Sequence, residues 1–262
     1  MLKKLVSYDF TSLFKALLPS YIVLGIITIV TMLMGFLMSY ITPLKYVFPL
    51  TVTVFIITVI IVLVYTFFVS IKHFYQDFAM NRGYLIQTLP VSKSSLIFSK
   101  ILTSLITMLV SGIVILVCIS LLLWSQGSLG TVIESLLDFP KALVNMNGII
   151  FYLIIFIMLG CSYLVQLLMF FLSIALGQMR NTNKLIGSVV AWLLLYVAYE
   201  VVAVLTIIMI ALFVPNLEII VSTNVGLFIS IMASIYASLV IVFAIVSFVS
   251  IKYIFTKKIN LE

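Results

Sequence analysis

Residues Lys72–Lys100, KHFYQDFAMNRGYLIQTLPVSKSSLIFSK, form the longest stretch of mixed charge in a chain that is otherwise almost wholly lipid-soluble. The stretch holds the only histidine, His73, and four of the fourteen basic residues. On either side lies a run long enough to cross a bilayer, Tyr46–Ile71 before it and Ile101–Trp124 after it. The polar segment therefore reads as a loop between two spans. In a protein so poor in charge, such a loop is the best place to meet a soluble partner.

Working outward, four further runs reach the ~20 apolar residues that a spanning helix needs: Pro19–Thr42, Gly148–Leu176, Leu185–Val214 and Val225–Ile251. Hydrophobic residues make up 65% of the chain and charged residues 8%, with a mean hydropathy of +1.40. A water-soluble domain carries about 25% charged residues, so this surface is built for lipid. The runs lack the alternation of an outer-membrane barrel strand. The sequence predicts an all-α polytopic membrane protein: a single transmembrane domain over residues 1–262, with six transmembrane helices.

Basic residues set the expected orientation. Lys3, Lys4, Lys15, Lys72, Arg82, Lys93, Lys100, Arg180, Lys184, Lys252, Lys257 and Lys258 fall on one side of the six runs, and Lys45 and Lys141 on the other. That asymmetry places both termini and the Lys72–Lys100 loop in the cytoplasm. The net charge of +7 is then a topology signal facing anionic lipid headgroups. Nucleic-acid binding would need clustered basic residues on a folded face, which is missing here.

At the start, Leu2, Val6, Phe10, Leu13, Phe14 and Leu17 share one helical arc, with Lys4, Ser7, Tyr8, Thr11 and Lys15 opposite. Residues 1–18 are expected to lie in the membrane interface, with Pro19 opening the first span. The outer loop Ser125–Asn147 is long enough for a short amphipathic helix near Val132–Leu143, its polar side being Glu134, Asp138 and Lys141. Residues 206–214 read either as the end of the fifth span or as a re-entrant turn.

Catalytic chemistry is nearly absent from the sequence. It has no GxxxxGK[ST] phosphate loop, no HExxH and no GxSxG, and His73 alone does not make a catalytic pair. Cys118 and Cys161 lie inside apolar runs and read as small hydrophobes. Glu200, between Tyr196 and Tyr199, is the one carboxylate midway along a span. Such a group costs ~3 kcal/mol on insertion scales and faces a cavity or a helix contact. Two roles stay open for it, and for Gln166 in the fourth run: packing, or lining a substrate path. On the last run Gly226, Ser230, Ala233, Ser234 and Ala237 share a face, a pattern that lets helices approach closely in lipid.

Within the loop, Phe74, Tyr75, Phe78 and Met80 have helix-like spacing in a segment expected to face the cytoplasm, which reads as a docking surface. Leu89-Pro90 should end that helix, and Ser92 or Ser94 should cap the next. The segment Arg82-Gly83-Tyr84-Leu85-Ile86-Gln87-Thr88-Leu89-Pro90-Val91-Ser92, followed by Ser99-Lys100, resembles the GYLxxTLPVS…SK segment of ABC-2 type transporter permeases. Tyr8-Asp9-Phe10 with Leu17-Leu18-Pro19 is similar to the YDF…LLP start of Firmicute members.

The resemblance implies a non-catalytic permease subunit of an exporter in the bacterial plasma membrane. Its coupling helix, carrying Arg82, Tyr84 and Leu85 beside the aromatic cluster, would dock on a separate ATP-binding cassette ATPase. That partner would hold the ATP and Mg; no cofactor is expected on this chain. A second permease copy, identical or related, and membrane lipids complete the expected partners, with no nucleic acid. The expected substrate is amphipathic, a peptide being favoured. Two other classes stay open: an energy-coupling-factor type substrate-binding subunit, and a non-transporting membrane scaffold or immunity protein.

Overall fold

The computed structural model describes residues 2–38, 40, 44–79, 91–144, 147–179, 183–213 and 225–257. Every element among them is a helix: α1 Leu2–Leu37, α2 Leu44–Ala79, α3 Lys93–Ser125, α4 Leu129–Val144, α5 Gly148–Gly177, α6 Lys184–Phe213 and α7 Val225–Lys257. Six of these, all but α4, are long and apolar enough to cross a membrane. They overlap the six apolar runs: α5 and α6 match theirs closely, α2, α3 and α7 run several residues further into polar sequence, and α1 begins at Leu2. Their outer faces are of the kind lipid covers: Ile22, Ile26, Ile29 and Leu33 on α1 are each more than half exposed. Helices suit that environment because they satisfy their own backbone polar groups.

The expected break at Pro19 is absent. Residues 2–37 form one 36-residue helix with Pro19 inside it, in place of a separate interfacial helix followed by a turn. At ~1.5 Å per residue such a helix is ~54 Å long, well beyond a ~30 Å hydrocarbon core. Proline removes one helical hydrogen bond and crowds the preceding turn. Two hydroxyls bond carbonyls of that turn: Tyr65 donates to the Ala16 carbonyl (3.4 Å) and Ser20 to that of Leu17 (2.6 Å).

Residues 206–213 continue α6 without a turn, so the re-entrant alternative is not taken over that stretch. The short helix expected near Val132–Leu143 is present as α4, with Asp138 and Lys141 3.4 Å apart on its exposed side. Ser92 caps α3, its hydroxyl accepting from the Ser95 N–H at 3.3 Å.

The chain divides into two compact units, residues 1–73 with 98–135 and residues 74–97 with 136–262. In the first, α1, α2 and α3 close on Leu24, Phe55, Val62, Ile115, Cys118 and Leu122, and a smaller cluster joins Leu13, Leu17 and Val69. In the second, α5 packs against both α6 and α7, around Val165, Met169 and Val240. Two glycines permit close approaches there. A side chain at Gly148 would meet the Leu137 carbonyl at 2.9 Å, and one at Gly177 would meet the Ser188 hydroxyl at 2.0 Å. Asn183 enters α6 with a φ of 52°, a left-handed conformation that asparagine tolerates better than most residues.

Candidate functional site

In the first unit, three helices bring charge together inside apolar surroundings. Asp9 sits on α1, His73 near the end of α2 and Lys100 two turns into α3. The Lys100 Nζ lies 2.6 Å from Asp9 Oδ1, and the two side chains are 6% and 4% exposed. Ser99 donates to the other carboxylate oxygen at 3.3 Å, so both oxygens of Asp9 are engaged. Lys100 Nζ is also 3.2 Å from His73 Nδ1; an ammonium can only donate, which makes Nδ1 the acceptor. A buried pair of this kind gains little over an apolar one, but removing one member strands a charge, at ~3–5 kcal/mol.

From this cluster a polar stripe climbs α3. Ser99, Lys100, Thr103, Ser104, Thr107 and Ser111 are all buried, and their spacing keeps them on one face. Thr103, Ser104, Thr107 and Ser111 each return a hydrogen bond to a carbonyl of the preceding turn. Ser111 also reaches Tyr21 of α1 at 2.6 Å and Thr66 of α2 at 3.0 Å. Small hydroxyl side chains let helices approach closely, and they hydrogen-bond across the contact.

In the second unit, the aromatic group expected to face the cytoplasm is largely interior. Phe74 is 0% and Phe78 6% exposed. Phe74 stacks on Phe171 of α5 with ring centres 3.8 Å apart, and Phe78 lies 4.7 Å from Phe255 of α7. The reason is that α2 stays helical to Ala79, so its last turn buries these rings within the second unit. As a free docking surface, Phe74 and Phe78 are therefore withdrawn. Tyr75, between them in sequence, is half-buried. Met80, Arg82, Tyr84 and Leu85 lie outside the described residues. Nearby, the Lys93 ammonium donates to the Phe255 carbonyl, satisfying one of the acceptors that the end of α7 leaves open.

The small-residue face of α7 lines a half-open groove of about 260 Å³ against Ile157, Met158 and Cys161 of α5. Ala233 and Ala237 are half-buried there, Ser230 and Ser234 stay exposed, and Gly226 is buried. Ser230 and Ser234 turn their hydroxyls back to the helix, donating to the carbonyls of Leu227 and Ile231.

Glu200 is exposed, and Tyr196 lies one turn earlier on α6. Tyr196 stacks on Trp192 at 5.9 Å, and Trp192 on Phe170 of α5 at 5.1 Å. Gln166, on α5, is half-buried. The neighbouring Tyr199 turns the other way, edge-on to Phe243 at 5.5 Å, and Tyr236 bonds Ser162 at 2.9 Å.

The Asp9–His73–Lys100 cluster was not expected as a unit from the sequence. A signal for it exists in the Ser99–Thr103–Thr107–Ser111 repeat, which marks a polar helix face, and in Asp9 lying on the apolar side of an amphipathic segment. Compared with protein families, curated proteins and solved structures, the chain matches none.

Proposed function

We propose that this chain is the membrane-spanning permease subunit of an ATP-binding cassette exporter of the ABC-2 type. The observation that carries the proposal is the buried Asp9–Lys100 pair, with Ser99 on the same carboxylate. Asp9 belongs to the YDF segment and Ser99-Lys100 to the TLPVS…SK segment. The two stretches that carry the resemblance are thus joined by one ion pair, although about ninety residues of sequence separate them.

In this reading both termini and residues 72–100 face the cytoplasm of a bacterial cell. A separate ATPase subunit, holding ATP and Mg, docks on the segment around residues 80–90, and a second permease copy completes the pathway. Because Phe74 and Phe78 are interior, the contact falls on Tyr75 and on Met80, Arg82, Tyr84 and Leu85. The three-helix joint at Asp9, His73 and Lys100 supports transmission, since a movement imposed at the start of α3 pulls on α1 directly. The permease then alternates access for an amphipathic substrate, a peptide being favoured, and performs no bond chemistry itself.

The test is affinity purification of the tagged chain from its native membranes in mild detergent. The expected result is a stoichiometric, span-free partner that carries a GxxxxGK[ST] loop and hydrolyses ATP. A preparation without such a subunit in each of several detergents, and without ATP hydrolysis, contradicts the proposal.

A further inference from the structure

Glu200 presents a chemical problem that the described residues of its own unit do not solve. It lies sixteen residues into α6, ~24 Å along the helix from Lys184, and well inside the candidate span Lys184–Met209. None of the most apolar stretch of α6 is buried within the chain. A carboxylate in that position faces lipid unless something covers it, and lipid is a poor environment for it. Cations are not at hand midway along the three long helices of this unit, and its other described cations, Lys93 and Lys141, lie at the start of α3 and on α4. Helix α5 has no charged residue, α6 has only Lys184 besides Glu200, and α7 has Lys252 and Lys257 in its last two turns.

The surroundings of the carboxylate are specific. Trp192, Tyr196 and Glu200 follow one another at i+4, so they form one row on α6. The two rings are stacked at 5.9 Å, Phe170 backs Trp192 at 5.1 Å, and Tyr196 is 37% exposed one turn before Glu200. Ring faces carry partial negative charge and attract a cation lying over them, tryptophan most strongly. A carboxylate at the end of an aromatic row, open to an apolar surrounding, suits a ligand that is positively charged and soluble in lipid.

We propose that the α6 row of Trp192, Tyr196 and Glu200 binds the charged centre of a hydrophobic organic cation, of the quaternary ammonium or phosphonium kind. Naming this ligand as cargo rests on the permease reading. Binding itself needs neither ATP nor a partner subunit, so the two can fail separately.

The probe is tetraphenylphosphonium, with tetraphenylborate as a control of the same shape and opposite charge. The full chain, carrying Trp124→Phe so that Trp192 is the sole indole, is held in phosphatidylglycerol discs and its emission is followed during titration. Tetraphenylphosphonium is expected to shift Trp192 emission saturably and tetraphenylborate to have no saturable effect. Glu200→Gln should weaken the phosphonium about tenfold or more, and Glu200→Asp, which keeps the charge, should bind within a few-fold of the parent. A weaker apparent affinity in discs containing phosphatidylethanolamine identifies a lipid amine as the occupant, and an unchanged one assigns the site to a free cation. Equal responses to both probes, or equal phosphonium affinity for parent and Glu200→Gln, overturns the proposal. So does a parent that ignores both probes while Glu200→Gln converts a dimer to a monomer in light scattering, since the row would then be a contact between copies.

Discussion

Lys100 is the residue whose removal should be felt most. Lys100→Met leaves the Asp9 carboxylate buried beside Ser99 without its cation, at a cost of ~3–5 kcal/mol. The expected outcome is a large fall in the detergent unfolding temperature, or loss of a monodisperse peak. Because the cost is mainly a stranded charge, Asp9→Asn combined with Lys100→Met should recover much of the loss. A double variant as damaged as the sum of the single ones would show that the two side chains act independently. Gly177 offers a second test of the same kind. An alanine there would place its methyl 2.0 Å from the Ser188 hydroxyl and 2.8 Å from the Lys184 carbonyl. Gly177→Ala should cost ~1–3 kcal/mol as an overpacked contact, and Ser188→Ala should not restore it, because the backbone contact remains. Neither contact announced itself in the sequence, where Lys100 reads as a topology marker and as part of the Ser99-Lys100 motif.

At the level of helices, the α2 tail is where the sequence misleads. Phe74 and Phe78 have the spacing of a docking face, and nothing in the sequence of α2 alone says that Phe171 and Phe255 lie against it. Phe74→Ala should cost ~3–5 kcal/mol as a core truncation, lowering the unfolding temperature. Phe78→Asp should abolish a folded peak, because it buries a carboxylate among rings. Tyr75→Asp, at a half-buried position, should leave the fold intact and weaken ATPase association, measured by co-purification. A Phe78→Asp chain with wild-type stability would place that ring outside the core. Other elements were legible for clear reasons. The six long helices follow from run length and composition, and α4 from the separation of Glu134, Asp138 and Lys141 from its apolar side. The continuity of α1 was not legible, because proline usually ends or kinks a helix, whereas Pro19 lies inside α1. The polar stripe of α3 was half legible: its periodicity is in the sequence, but its partners Tyr21 and Thr66 are not.

For the whole molecule, six helices among the described residues are long and apolar enough to cross a membrane, while the distribution of lysine and arginine sets the expected sides. The permease reading depends on that second inference, since a loop at residues 72–100 facing outward could meet no cytoplasmic ATPase. The most direct measurement uses a chain with Cys118 and Cys161 replaced by alanine and single cysteines placed at Ser92, Asn181 or Ser135. Intact cells are treated with a membrane-impermeant thiol reagent. Twelve basic residues against two predict that the cysteine replacing Ser135 is labelled. Those replacing Ser92 and Asn181 should react only after the membrane is opened. Labelling at Ser92 or Asn181 in intact cells, with protection at Ser135, would contradict the account.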